Sequence, residues 1–506
     1  MAAISILKAL ALLAERDPTR PILIEDERVV TRAEFDASTN RLARAYAAMG
    51  VEHGDFVSVI LPNSIAFLEA IAAIWKLGAV PQPLPPKLAA KELGEIIALA
   101  KPKLIVGDPP VRTETCAMLP QGFTPDPALS DAALPDAISP HFKAMVSGGS
   151  TGRPKIIVAG NPGEIDLDAP CPTIQPNERI LVTGPLYHNA PFFAATTCLL
   201  SGGCAVLTQH FDPEQTLRLI QRHKINFMTL VPTMMHRMWR LSHGVKSNYD
   251  LSSLRAVVHS AAPCPIWLKE AWIDWIGAEK LIEAYSNTEA PGYTIIGGKE
   301  WLKKKGSVGK VDPRACEIKI VGPNGNTLPH NQVGEIYMRP AVGPDSSYYY
   351  GERYYYIGAE PKQLKGGWDS MGDLGYLDSD GYLFLCDRRA DVILRGGANI
   401  FPAEVEAALD AHPAVKSSAV IGLPDEDLGE KVMAIVEVEE DVTIDELKSY
   451  LRSLLSPNKI PALFEFVSSP IRNGAGKVCR RDLRLSWLSR MAAETKMNTL
   501  HRAQLG

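Results

Sequence analysis

Between Arg32 and Leu84 the chain switches back and forth between helical and strand-like periodicity, and this alternation constrains its fold more than any other feature. "RAEFDASTNRLARAYAAMG" (32–50) repeats apolar residues at helical spacing and ends on Gly50, a helix stop. "FVSVILP" follows as a short apolar run, and "AFLEAIAAIWKLGAVPQPL" is a helix running into another strand. The rhythm returns at "RILVTGPL", "AVLTQ" and "INFMTLVP". Strands separated by helices pair in parallel, because a helical crossover carries the chain back to the same end of the sheet. The expected class is α/β with largely parallel sheets. From Gly334 to Phe384 the character changes to short strands, turns and tyrosines ("SYYYGERYYYIG"), which predicts a small antiparallel, barrel-like region. The tyrosines fit a packed β surface better than a stacking platform. "ADVILRGGANIFPAEVEAAL" and "VKSSAVIGLPDEDLGEKVMAIVEV" then form a compact α+β unit.

A chain of 506 residues exceeds what one hydrophobic core supports. Residues 1–388 are expected to form a large N-terminal domain and 389–506 a small C-terminal one, joined near Asp387-Arg388 by a hinge rather than a flexible linker. With 46% hydrophobic and 22% charged residues the composition is that of a soluble globular protein. A formal charge of −5 argues against a nucleic-acid groove or a polybasic membrane face. No apolar run approaches the roughly 18 residues of an integral membrane segment, and Lys8 interrupts the first apolar stretch, which reads as an amphipathic helix. The eight cysteines contain no C-x-x-C pair. That pattern predicts reduced thiols and a cytoplasmic location rather than a disulfide frame or a zinc site.

"MVSGGSTGRPKIIV" (145–158) sets glycines, hydroxyls and a lysine between two apolar runs, which predicts a strand-loop-strand turn. Glycine N–H groups, Ser/Thr hydroxyls and a lysine suit an anion such as phosphate. The nucleotide P-loop pattern does not fit, because Arg153-Pro154 separates Gly152 from Lys155 and no Ser/Thr follows the lysine. Alone, the stretch reads equally as a surface hairpin. Gly148-Gly149-Ser150-Thr151-Gly152 also satisfies Gly-x-Ser-x-Gly, but the strand-to-helix context of a nucleophile elbow is missing. Four more segments accompany it: "PLYHNAPF", "EAYSNTEAPGY", "SMGDLGYLDSDGYLFLCDRRADVILRGGANIFPAEVE" and "RNGAGKVCR".

In this order and spacing the five segments resemble the core motifs of the adenylate-forming (AMP-binding) superfamily, from about Thr31 to Leu485. Within it the chain looks most like bacterial acyl-CoA synthetases of the fatty-acid and bile-acid CoA ligase type. The resemblance implies a large N-terminal domain, a mobile C-terminal lid, and ATP-dependent activation of a hydrophobic carboxylic acid to acyl-AMP. Transfer to the thiol of CoA follows; transfer to an amine, as in an amide-bond synthetase, is the alternative. It implies that Ser147, Gly148, Gly149, Ser150, Thr151, Gly152 and Lys155 hold the β- and γ-phosphates, that Thr288 meets the α-phosphate, and that Glu289 holds Mg²⁺. Tyr285 with Ser260, Ala261, Ala262 and Pro263 would enclose adenine, and Asp373 and Arg388 would face the ribose. Lys477 would bridge carboxylate and α-phosphate, cancelling repulsion between two anions. His188, Phe192, Thr233, Ala290 and Gly292 would line the acyl site, with His188 at its mouth and Ala190, Ala194 and Ala195 leaving room. Gly396 and Gly397 would let the pantetheine arm of CoA pass close to backbone. Two positions depart from the family pattern: Ser286 stands where glycine is usual, and Ala390 where the hinge often carries Asp or Lys. A homodimer would be ordinary.

Overall fold

The computed structural model describes residues 3–110, 116–148, 154–168, 171, 173–341, 354–388, 390–395, 398–425, 428–473 and 476–491. The alternating segments form two sheets. One is parallel throughout, in the order Val80–Pro83, Phe56–Ile60, Leu104–Gly107, Ala117–Leu119. The other has eight strands: Thr294–Gly297, Leu281–Tyr285, Ala256–His259, Phe227–Leu230, Arg179–Val182, Cys204–Leu207, Pro21–Glu25 and Arg28–Thr31. It is parallel inside and antiparallel at both edges. Strands buried on both faces carry near-continuous apolar runs, as "RILV" and "FMTL" do.

Helix Ile65–Lys76 is capped by the Ser64 hydroxyl, which accepts from the Phe67 N–H, and buries nearly every side chain. Its Phe67, Ile71 and Ile74 share one core with Val57 and Leu104 of the first sheet and Leu23 and Ile180 of the second. Each such side chain contributes about 1.5–3 kcal/mol on full burial, so a helix apolar on all sides is stable only between two layers. Helix Arg32–Ala48 begins in a reciprocal Thr31/Glu34 capping box.

The antiparallel region begins earlier than its sequence signal at Gly334. Its sheet runs Ser307–Gly309, Leu383–Arg388, Trp368–Leu377, Gly334–Pro340, Cys316–Val321. The short first strand and the charged turns around Cys316–Val321 hide that start from a periodicity reading. Strand Tyr355–Ile357, inside the same stretch, leaves this sheet and pairs with Pro154–Val158, which itself pairs with Ala144–Gly148.

The C-terminal domain is a separate unit with its own sheet, ordered Ala398–Ile400, Ile393–Arg395, Gly429–Val438, Val415–Asp425, with Leu463–Val467 parallel to Gly429–Val438. Helices Pro402–Asp410 and Ile444–Arg452 cover it, and Val405, Val420, Val432 and Leu447 form a core of their own. Among the described residues no helix is long and apolar enough to cross a membrane.

Candidate active site

The glycine-rich stretch joins two antiparallel strands, with Ser147 opposite Lys155 and Gly148 opposite Pro154. Gly149, Ser150, Thr151, Gly152, Gly396 and Gly397 lie outside the described residues, as do the side chains of Ser147 and Arg388. Lys155 Nζ lies 2.8 Å from Glu289 Oε1 and donates to the Tyr356 hydroxyl at 3.0 Å; that hydroxyl donates to Glu289 at 2.5 Å. The Glu289 side chain is 10% exposed and that of Lys155 21%, so the pair is largely but not wholly shielded from water. Burial and the Glu289 charge push the Tyr356 phenol up. Tyr356 is a site residue that the sequence reading missed, having taken "ERYYYIG" as packed surface. Strand pairing beside Pro154–Val158 brings it here.

Tyr285 ends strand Leu281–Tyr285, and its hydroxyl donates to Asp373 Oδ2 at 2.7 Å. Asp373 stands directly opposite Arg388 in the pairing of Trp368–Leu377 with Leu383–Arg388. The loop after Tyr285 is closed by the Ser286 hydroxyl donating to the Gly292 carbonyl at 2.7 Å and by the Ala290 N–H donating to Asn287 Oδ1 at 2.9 Å. Thr288 and Glu289 are carried on that turn. Ala290 has φ 47°, and Ala261, in the 260–263 loop, has φ 72°. Left-handed backbone costs an alanine about 1–3 kcal/mol, and such strain gathers at binding sites.

His188 precedes helix Asn189–Leu200 as its N-cap residue without making a side-chain cap. Burial, then the nearby charge of Lys477, lowers its pKa to about 4. Lys477 reaches this point from the C-terminal domain. Its turn is tied by the Lys477 N–H to Asn473 Oδ1 at 3.0 Å and the Gly476 N–H to the Asn473 carbonyl at 2.8 Å. Gly476 has φ 72°, and a Cβ there would stand 2.2 Å from Thr233 Oγ1. Only glycine permits that approach.

Several residues expected on the acyl wall are also packed into the protein core. Phe192 is fully buried, packed against Trp75 and Phe142. Ala194 and Ala195 belong to the same core. Gly292 has a packing reason, since a Cβ there would meet Cys316 and Met338 at 3.0–3.1 Å. Lys143, beside this site, is a further cation absent from the motifs. It donates to Asn189 Oδ1, and burial lowers its pKa to about 8.

The Glu289 carboxylate is an oxygen donor of the kind a hard cation takes when phosphate and water complete its ligands. A carboxylate paired with a lysine, an aspartate held by a tyrosine, and a second lysine near a histidine thus supply the groups that a triphosphate, a ribose and a carboxylate would need. This fold and site define an adenylate-forming enzyme. The chain belongs to the AMP-binding enzyme family, which matches residues 11–344, and residues 404–477 match the AMP-binding enzyme C-terminal domain. It is 33% identical over 476 residues to a feruloyl-CoA synthase of an Amycolatopsis species, covering 90% of this chain and 93% of that one. It is 29% identical over 488 residues to the 2-succinylbenzoate–CoA ligase of Bacillus subtilis, covering 93% and 96%. The o-succinylbenzoate CoA synthetase of Bacillus subtilis, solved with its acyl-adenylate OSB-AMP, superposes with a TM-score of 0.80 at 26% identity, over 96% of this chain and 99% of that one. An amide bond synthetase from Marinactinospora thermotolerans superposes with a TM-score of 0.77 at 26% identity, over 96% and 99%.

Proposed function

We propose that this protein is an AMP-forming acid–CoA ligase: ATP and a carboxylic acid give acyl-AMP and pyrophosphate, and the CoA thiol then displaces AMP to give the thioester. The observation that carries the reading is Lys477, carried by the C-terminal domain on a turn whose Gly476 lies against Thr233, and within electrostatic reach of His188. In that position its ammonium screens the attacking carboxylate from the α-phosphate, where two anions must otherwise approach unaided. Lys155 and the loop after Gly148 hold the leaving phosphates. Glu289 would hold Mg²⁺, which offsets charge on the triphosphate when bound. Asp373 accepts from the ribose hydroxyls while Tyr285 supports it. His188, neutral at physiological pH, can border the carboxylate without pairing with it. Residues 389–506 then rotate about Ala390 to bring Gly396 and Gly397 to the acyl-adenylate; a hinge needs only backbone freedom, which alanine supplies.

Relatives named for feruloyl, succinylbenzoate and indoleacetate substrates point first to ring-bearing acids. Eight free thiols suit a cytoplasmic enzyme. The test is acid-dependent pyrophosphate release over aryl, fatty and steroid-like acids, with CoA or a panel of amines as acceptor at matched concentration. Saturable thioester formation is expected with CoA, and slow, non-saturating amide formation with amines. Saturable amine kinetics with no CoA ester would instead identify an amide synthetase. No pyrophosphate with any acid would remove the whole reading.

A further inference from the structure

We propose that Arg240 is a positioning residue for the adenylation step, holding the C-terminal domain in the orientation that presents Lys477; this rests on the ligase reading above. Arg240 ends helix Pro232–Trp239, whose first turn carries Thr233. Its guanidinium donates to the Val415 carbonyl at 3.0 Å and the Pro413 carbonyl at 3.1 Å, and is also paired with Glu439. All three partners belong to the C-terminal domain. One short helix therefore touches that domain at both ends: Thr233 against Gly476, and Arg240 about 10 Å further along the helix axis.

Between these two contacts the domains stand apart around a cavity of ≈ 310 Å³ lined by His236, Lys416 and Arg472 among others. A packed interface would tolerate the loss of one contact. Loss of the Arg240 contact would leave the domain free to tilt about the contact at Thr233. The two points are also wired together within the C-terminal domain. Arg472 donates to Ser417 Oγ at 3.2 Å and the Ser418 carbonyl at 3.2 Å, both on the strand Val415–Asp425 that Arg240 holds. It donates as well to the Gly476 carbonyl at 3.4 Å, next to Lys477. Another bond across the domain boundary, the Ala403 N–H to Asp387 Oδ2 at 2.8 Å, lies beside the hinge and exerts little leverage on Lys477.

A planar guanidinium reaching two carbonyls and a carboxylate is not replaced by an ammonium or a methyl. Arg240 touches no residue assigned to nucleotide or acid, so its loss should change rate rather than substrate affinity. The experiment compares wild type with Arg240→Ala, Arg240→Lys and Glu439→Gln in two assays on one preparation: acid-dependent pyrophosphate release, and thioester formation from synthetic acyl-AMP and CoA. Arg240→Ala should lower the kcat of adenylation about 10-fold, the size expected for lost hydrogen bonds to a charged group. KM for ATP and acid should stay within about twofold, and the thioester step should be unchanged or faster. Arg240→Lys and Glu439→Gln should fall between wild type and alanine. Adenylation by Arg240→Ala within about threefold of wild type would overturn the proposal, as would an equal loss in both half-reactions. A wild-type enzyme that releases no pyrophosphate would overturn the parent reading and this one with it. Loss of adenylation in Lys477→Ala but not in Arg240→Ala would overturn this one alone.

Discussion

Lys155 and Glu289 form an ion pair 2.8 Å apart, bridged by the hydroxyl of Tyr356. The two residues are assigned to different ligands, a phosphate and a divalent cation, yet they lie in direct contact at the phosphate end of the proposed site. A ligand taken by either residue changes the charge that the other faces.

Glu289→Gln should therefore raise the Mg²⁺ concentration for half-maximal adenylation by about 10-fold or more, since an amide is a poor ligand for a hard cation. Tyr356→Phe should raise it less, about fivefold, by removing the hydrogen bond that orients the carboxylate. A magnesium titration at saturating ATP and acid checks both. Unchanged metal dependence in Glu289→Gln would show that the carboxylate is not a ligand.

Asp373→Ala should weaken ATP and AMP alike, by about 10-fold or more, because ribose is common to both and the carboxylate bonds to it are charge-assisted. Tyr285→Phe removes only the 2.7 Å bond that steadies Asp373 and should cost about threefold to tenfold. Isothermal titration with each nucleotide separates this outcome from a phosphate-side defect, which would affect ATP alone.

Lys477→Ala should slow adenylation by several orders of magnitude while sparing thioester formation from synthetic acyl-AMP. It should also raise the pKa of His188 from about 4 toward, but not to, the ordinary 6.5, because burial is the larger cause of the shift. A histidine NMR titration of both proteins reads this without any turnover. An unmoved His188 would mean that the Lys477 loop does not rest at the site.

Burial, then nearby cations, lowers the pKa of both His188 and His236 to about 4 in the fold. An unfolded chain takes up their protons near 6.5, so it binds more protons than the native state between those values. Stability should be level above about pH 6.5 and decline as pH falls toward 4, by at most about 3 kcal/mol per histidine. Thermal unfolding from pH 7.5 to 4.5 should show a shallower decline for His236→Gln than for wild type.

Lys269 and Glu283 form a pair 2.5 Å apart beneath the 260–263 loop, both nearly inaccessible. Burial pushes the lysine pKa down and the glutamate pKa up, against their mutual attraction. Lys269→Met should cost about 3–5 kcal/mol by leaving Glu283 unpaired, whereas Lys269→Met with Glu283→Leu should recover much of it. Apparent melting temperatures of the single and double variants test this.

Helices and strands were legible because their periodicity is a property of consecutive residues: "AFLEAIAAIWK" has no stable home except between two apolar layers. The motifs were legible because phosphate binding needs glycine, hydroxyl and lysine at short spacing, as at 147–155. Tyr356 was not, because nothing in "ERYYYIG" distinguishes a packed tyrosine from one aimed at a carboxylate 67 residues away. Nor was the burial of Phe192, whose motif neighbour His188 faces the site while one helical turn carries the ring into the core. By itself the sequence determined the α/β layering and the motifs that mark an adenylate-forming enzyme. Only the tertiary structure decided that Asp373 stands opposite Arg388, that Lys155 closes on Glu289, and that Arg240 and Thr233 seat the domain carrying Lys477. Those pairings depend on strand register and domain packing, which join residues far apart in the chain and leave no periodic trace in either partner.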